Sequence, residues 1–530
     1  MNLLIFWIFT IFYVILVPFQ KGDCNPEHRE CPCYHHSHNS LAPPNHNCKI
    51  SNISLPNLTI SEFRDCMKDI EVLSLVNTST RWIENGFFVN FTNLTNLEFS
   101  TNPNVSQCLN NLTGIDKTKL ENLTLNNISL NDENLKAIYT IFPSTLKYLT
   151  LRSNHITTFP LKWIQDLKYL TSLDLSQSLQ FRHFVSDNVK EELPLTHLFV
   201  TGTSFFWTKL FKNSNSTCIL PNLTEFHLSS TFVNVSATDV KDNCLHNLTV
   251  LDLDHCLFED GLYNDSFRFL PNLQNLSISE SFNIYQLPIL NTPLKELKMN
   301  NIQMKFNETK DNLHIFRNLK NLLHLEISHI NLSTWSDDGI GSLLGQLTNL
   351  QCINASNNNL KFLPSVFLKL HNLKTVILTN NSIPQWHQPT FQSGKLETLN
   401  LENNAIGYLD TDFLPTSIKE LNLKGNPFRC TCDLVPFIIW AKQNKLYHDI
   451  LNNKKQYVCD FPMDRKNKSL ADFNPLPTDC RPFNTIVITA MVLCGLMVIV
   501  VCVTDIVVCY RERREKPKRK PRYRKLSPLT

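Results

Sequence analysis

Four stretches decide the fold: LQCINASNNNL (350–360), LKTVILTNNSI (373–383), LETLNLENNAI (396–406) and IKELNLKGNPF (418–428). Each reads L-x-x-L-x-L-x-x-N-x-L, and the ninth positions, Asn358, Asn381, Asn404 and Asn426, are spaced 23, 23 and 22 residues apart. LKYLTLRSNHI (146–156) adds a fifth clean copy with Asn154. The alternating apolar positions suit a short strand with one buried side, and a fixed Asn at the turn can bond peptide groups that burial would orphan. One such unit cannot bury its apolar side alone, so the pattern demands stacking and end caps.

Weaker copies place ninth positions at Thr78, Asn102, Ile128, Ser178, Thr203, Thr231, Cys256, Ser281, Ile302 and Ile330, giving about 15 repeats over 58–428. The period and pattern resemble the leucine-rich repeats. That resemblance implies an α/β leucine-rich-repeat solenoid, a horseshoe with a concave parallel β-sheet. The stretch NPFRCTCDLVPFIIW opens a series Cys430, Cys432, Cys459, Cys480 that resembles the C-terminal cap of these proteins, over 429–481. The resemblance implies pairing of Cys430 with Cys459 and of Cys432 with Cys480. A zinc site is the rival, disfavoured by export and by the lack of paired CxxC spacing. Cys24, Cys31, Cys33 and Cys48 make a looser N-terminal cap over 24–57, beside His35, His36 and His38, which read as a solvated loop and not as metal ligands. Cys218 and Cys244 stand one repeat apart and are expected to bridge; Cys66 and Cys108 are a weaker candidate pair, and Cys256 and Cys352 are expected to be free.

The chain starts with an uncharged apolar run, LLIFWIFTIFYVILVPF, read as a secretory signal over 1–23. Fourteen of its 17 cysteines fall between Cys24 and Cys480, as an oxidising compartment allows. A second apolar run, 486–508, sits in an expected membrane helix over 485–509 and is long enough to cross a bilayer. RERREKPKRKPRYRK follows, ten Lys or Arg against two Glu, in a short basic tail over 510–530. The positive-inside rule places that tail in the cytoplasm and predicts a single-pass type I plasma-membrane protein with its N-terminus outside. Asp505 sits near the inner end, and Cys509 is a palmitoylation candidate. Twenty N-x-S/T sequons lie on the outer side, Asn93, Asn111, Asn222, Asn247 and Asn331 among them. Sequons are missing from 128–214 and 382–466, and the first gap holds FFWTKLF (205–211), read either as a docking patch or as core.

The cap, with YVCDFPMDRKNKSLADF after it and a single membrane helix next, resembles the Toll-like receptors, above all their lipopeptide-sensing group. The ladder asparagine is missing in seven consecutive repeats, from Ser178 to Ile330, and in that group a broken central ladder accompanies a lipid pocket. The resemblance therefore implies lining candidates near 281–340: Phe282, Ile284, Tyr285, Met304, Phe306 and Trp335; ordinary core packing is the alternative. The family's intracellular TIR domain is not found in the twenty or so residues that follow the membrane run.

The formal charge is +3, and removing the tail and Asp505 leaves about −4 for residues 1–484, not a basic surface for nucleic acid. No GxSxG, P-loop, HExxH or GxGxxG occurs, so no catalytic residue, metal or cofactor is expected. The reading is an innate-immune receptor or co-receptor that binds a microbial lipopeptide-like ligand or another Toll-like ectodomain, with dimerisation allowed. The alternative is an adhesion or matrix-interaction protein with the same caps.

Overall fold

A computed structural model describes residues 46–515 except 187–188, 206–216, 234–243, 259–261, 263–266, 268–269, 285–289, 303–305, 392–393, 444–454, 476–479 and 481–482. The described residues fall into two compact units, Met1–Ala355 and Ser356–Thr530.

In the first unit every repeat contributes one short strand to a parallel ladder. The order runs Asn47–Ser51, Val72–Val76, Asn96–Ser100, Asn122–Asn126, Tyr148–Thr150, Ser172–Asp174, His197–Phe199, Glu225–His227, Val250–Asp252, Asn275–Ser277, Glu296–Lys298, His324–Glu326 and Cys352–Asn354. The register aligns Leu73, Leu97, Leu123, Leu149, Leu173, Leu198, Phe226, Leu251, Leu276, Leu297, Leu325 and Ile353 side by side. All are at most 1% exposed, so one apolar spine runs under the strands while their neighbours in sequence point the other way. On the return side sit short helices and turns. Phe63, Phe87, Phe88 and Phe91 pack as one aromatic cluster there, with Phe63 and Phe87 edge to face at 5.3 Å. The helix Asp337–Leu344 starts where Ser336 accepts the Gly339 N–H, with Asp337 and Asp338 in its first turn.

The second unit repeats the plan with Thr375–Ile377, Thr398–Asn400 and Glu420–Asn422, then closes with the helix Val435–Gln443 and the strand Cys459–Phe461. Disulfides join Cys430 to Cys459 and Cys432 to Cys480. A helix Phe483–Glu515 follows, and its stretch Val487–Arg511 is long and apolar enough to cross a membrane.

The residue before each ladder position turns left-handed: Asn127, Ser153, Gln177, Asn357, Asn380 and Asn403 all have φ between +48 and +61°. Gly425 takes that place at +69°, and a Cβ there would meet Asn403 Oδ1 at 1.9 Å, so only glycine fits.

Candidate docking face

Residues flanking the buried leucine of each strand point outward, and in the middle of the first unit they are charged. Along strands His197–Phe199 to His324–Glu326 stand Glu225, Asp252, Asp254, Glu296 and Glu326 against Lys298. His227 is the hub. Its ring stacks on Phe199 at 4.6 Å, its Nδ1 lies 3.3 Å from Asp252 and its Nε2 lies 3.6 Å from Glu225. His197 approaches the other oxygen of Glu225 at 3.5 Å. Ser229 donates to Asp252, Ser277 donates to Asp254 at 2.5 Å, and Lys298 pairs with Glu296 at 2.9 Å and Glu326 at 3.9 Å. His227, Asp252, Asp254, Ser277, Glu296 and Lys298 line a depression of about 260 Å³.

Burial pulls the His227 imidazole down, but the hydrogen bond and charge of Asp252, with Glu225 beyond, reverse this and hold it above its ordinary value. Burial pushes Asp252 up, and the bonds from His227, Ser229 and the Asp254 N–H outweigh that and leave it below the usual carboxylate range. Asp254 goes the other way: burial, with the charge of Asp252 added, raises it against the bonds from Ser277 and Ser279. The face is thus a self-paired polar surface with a carboxylate surplus, suited to a cationic group brought in from outside. Among the described residues no group of His, Cys, Asp and Glu is placed to hold a metal ion.

The structure scatters the sequence candidates. Ile284, Phe306 and Trp335 are buried; Phe306 and Trp335 stack at 5.1 Å, and the Trp335 Nε1–H donates to the Phe306 carbonyl at 2.8 Å. They are core side chains tying neighbouring repeats, because an indole whose N–H is satisfied by a peptide group is best left packed. Phe282 is 43% exposed, and Tyr285 and Met304 lie outside the described residues. Phe205 is likewise core, stacked on Phe181 at 5.9 Å, while the rest of 205–211 lies outside. Cys218 is bonded to Cys244. Cys66 and Cys108 do not bridge. Cys108 is free, turned into its own short helix with its Sγ 3.3 Å from the Val105 carbonyl, whereas Cys66 is bonded elsewhere. Cys48 is disulfide-bonded; Cys24, Cys31, Cys33, His35, His36, His38, the leader 1–23 and residues 516–530 lie outside the described residues. Cys256 is free and buried, its thiol pushed up to about 12 by burial, and Cys352 and Cys509 are free.

Sequence reasoning missed a second ladder. In the recurring Asn-Leu pair that opens a repeat, the Nδ2 groups of Asn93, Asn247, Asn272 and Asn349 donate to Lys68, Pro221, His246 and Lys320 carbonyls one repeat back, at 2.7 to 2.9 Å. Asn222 reaches Leu193 the same way at 3.5 Å. In Asn-Leu-Thr the threonine joins in: Thr95, Thr224 and Thr249 donate to Glu71, Thr196 and Thr224. A glycan on such an Asn replaces one of two N–H bonds, so sequon and ladder are compatible. Asn111 donates to the Ile83 carbonyl, and Asn331 sits at φ +57°.

No family model matches the chain. It is 27% identical to Toll-like receptor 10 of Bos taurus over 49% of its own length and 33% of that protein. To Toll-like receptor 6 of Mus musculus it is 23% identical over 74% of its own length and 49% of that protein. CD180 antigen of Homo sapiens is 26% identical over 62% of this chain and 49% of its own. Toll-like receptors and CD180 are therefore homologues over much of the chain, which spans about a third to a half of their length. A solved leucine-rich-repeat protein of Leptospira interrogans is 23% identical, with TM-score 0.47, over 71% of this chain and 95% of that one.

Proposed function

We propose that the chain is a single-pass cell-surface receptor or co-receptor of Toll-like type, acting in innate immunity, with its repeats outside the cell. The observation that carries this reading is the similarity to a Toll-like receptor along 74% of the chain. The strand face from His197 to Glu326 is the proposed docking surface, for a cationic patch of a microbial ligand or of another Toll-like ectodomain. Its carboxylate surplus repels polyanions such as nucleic acid. A lipopeptide chain seated at 281–340 would first have to part the Phe306–Trp335 stack, so the acyl part is not assigned to those residues.

Co-expression with a full-length Toll-like receptor, followed by co-precipitation and a lipopeptide-driven reporter, tests the reading. Association, with a reporter dose response shifted several-fold and restored by Asp252→Lys/Glu296→Lys, is the expected result. No association and an unchanged dose response would sink it.

A further inference from the structure

The C-terminal cap leaves apolar side chains in the open that the repeats do not use. Met463, in the turn Met463–Arg465, is 79% exposed; Phe461, at the end of the strand Cys459–Phe461, is 52% exposed. Ile439, on the helix Val435–Gln443, is 49% exposed. Single exposed apolar residues are common and decide nothing. The position of these three is what counts.

The Arg465 guanidinium lies 5.1 Å over the Phe473 ring. Phe473 and Asn474 line a depression shared with Arg465 and Lys468, and they also line an apolar cleft of about 330 Å³ shared with Ile438, Ile439 and Cys480. The 461–468 loop and Cys480 therefore flank the same two residues. Seven residues after Cys480 the apolar stretch Val487–Arg511 begins. Seven residues extend at most about 25 Å, so Cys480, beside that cleft, lies no farther than that from the start of the apolar stretch.

We propose that the 461–468 loop rests in the headgroup layer of the membrane that holds the chain's own helix. Phe461 and Met463 reach toward the acyl boundary, and Arg465, Lys466 and Lys468 meet the lipid phosphates with their stems along the apolar surface. Asp460, Asp464 and Asp472 balance those three cations, which suits a zwitterionic leaflet better than an anionic one. The open mouth of the Ile439 cleft faces the same lipid. This inference rests on the helix spanning a membrane and not on the identity of any ligand.

The test uses the full chain in phosphatidylcholine liposomes with Met463→Trp, its emission taken as the excess over the parent chain. Because Met463 is so exposed, the substitution leaves folding intact. Lipids brominated at the shallow 6,7 positions should quench the excess emission, because interfacial side chains sit at the headgroup/acyl boundary. Aqueous iodide should quench it several-fold less than it quenches Leu179→Trp, a control on the repeats that is 72% exposed. Adding Phe461→Ser should weaken the lipid quenching. Iodide access equal to the control, without lipid quenching, overturns the proposal in favour of a solvated loop. Protection from both quenchers overturns it in favour of a protein partner, a second copy included.

Discussion

Asn154 and Thr203 hold the same place in repeats two apart, yet they bind the stack in different ways. The Asn154 Oδ1 accepts from the Ile128 and Leu130 N–H groups at 3.2 and 3.1 Å, and its Nδ2 donates to the Leu125 and Leu151 carbonyls at 2.7 and 2.9 Å. One planar amide thus reaches three peptide groups of the preceding repeat. The Thr203 hydroxyl has a single proton, and it goes to the Val200 carbonyl of its own repeat at 2.7 Å. Thr231 does the same with Leu228 at 2.6 Å. Ser281 and Cys256 reach back one repeat, to Leu253 at 2.7 Å and Leu228 at 3.3 Å. A hydroxyl or thiol ladder closes turns but joins repeats with fewer bonds. Other groups supply the missing ties. Where the ladder side chain is an isoleucine, at Ile302 and Ile330, with no side-chain donor, Asn300 on the strand face accepts the Ser328 N–H at 2.8 Å and gives its own N–H to Ser279 at 3.2 Å. Between the Thr203 and Cys256 positions the tie is covalent, Cys218 to Cys244.

The comparison breaks first at Asn154. Asn154→Ala orphans two buried N–H groups and strips a bond from two carbonyls, so a loss of about 4 kcal/mol is expected from the cost of unsatisfied buried groups. Thr231→Val removes the bond within its repeat and a weak 3.8 Å contact with the Cys256 thiol of the next, and should cost only about 1 kcal/mol. Hydrogen exchange in the full chain reads both directly, since the Ile128 and Leu130 amides should lose their protection in the first variant. Equal effects of the two substitutions would show that the amide and hydroxyl ladders hold the stack alike.

The staple comes next. Replacing Cys218 and Cys244 by Ala opens a 26-residue loop, for which the chain-entropy model gives about 3.5 kcal/mol. Limited proteolysis should then cut first between the Thr203 and Cys256 repeats. Unchanged cleavage kinetics would mean that the hydroxyl ladder suffices there without the disulfide.

Much of this was legible in the sequence because the ladder asparagine is one residue type at a fixed offset, repeating every 22 or 23 residues from Asn358 to Asn426. The strand face was not. Its positions are the variable ones of the pattern, and its pairs, such as His227 with Asp252 or Lys298 with Glu326, lie a repeat apart in sequence. Their alignment depends on repeat lengths that change from 21 to 28 residues around Ile302 and Ile330. Aromatic residues left both readings open for a different reason. Phe205, Phe306 and Trp335 are the large apolar residues a binding patch would show, and they are also what fills the space behind a ladder of small hydroxyls. Cys108 entered a weaker candidate pair by spacing alone, while the short helix Val105–Asn111 turns its thiol inward.

The smallest expected effect separates the strand face from the ladder beneath it. His227 is held above its ordinary 6.5, facing Asp252 and Glu225 with the Phe199 ring on its flank and His197 beyond Glu225. A histidine raised on folding contributes stability that is complete below the unfolded value and lost as pH rises through the folded one. His227→Gln should therefore lower the melting temperature most near pH 5.5, by about 2 °C for a contact worth under about 1 kcal/mol. The gap should close as pH rises through that raised value and the wild-type imidazole loses its charge. Asp252, held below its usual range, stays ionised across this window and does not blur the result. Asp254 titrates with the opposite sign to Asp252: raised by burial, its ionised form weakens the fold, and that cost is complete only above its raised value. A His227→Gln gap that stays constant or widens with pH would mean that the imidazole acts through its stack on Phe199 and not through its charge. The face would then lose its claim to be an electrostatic surface in its own right.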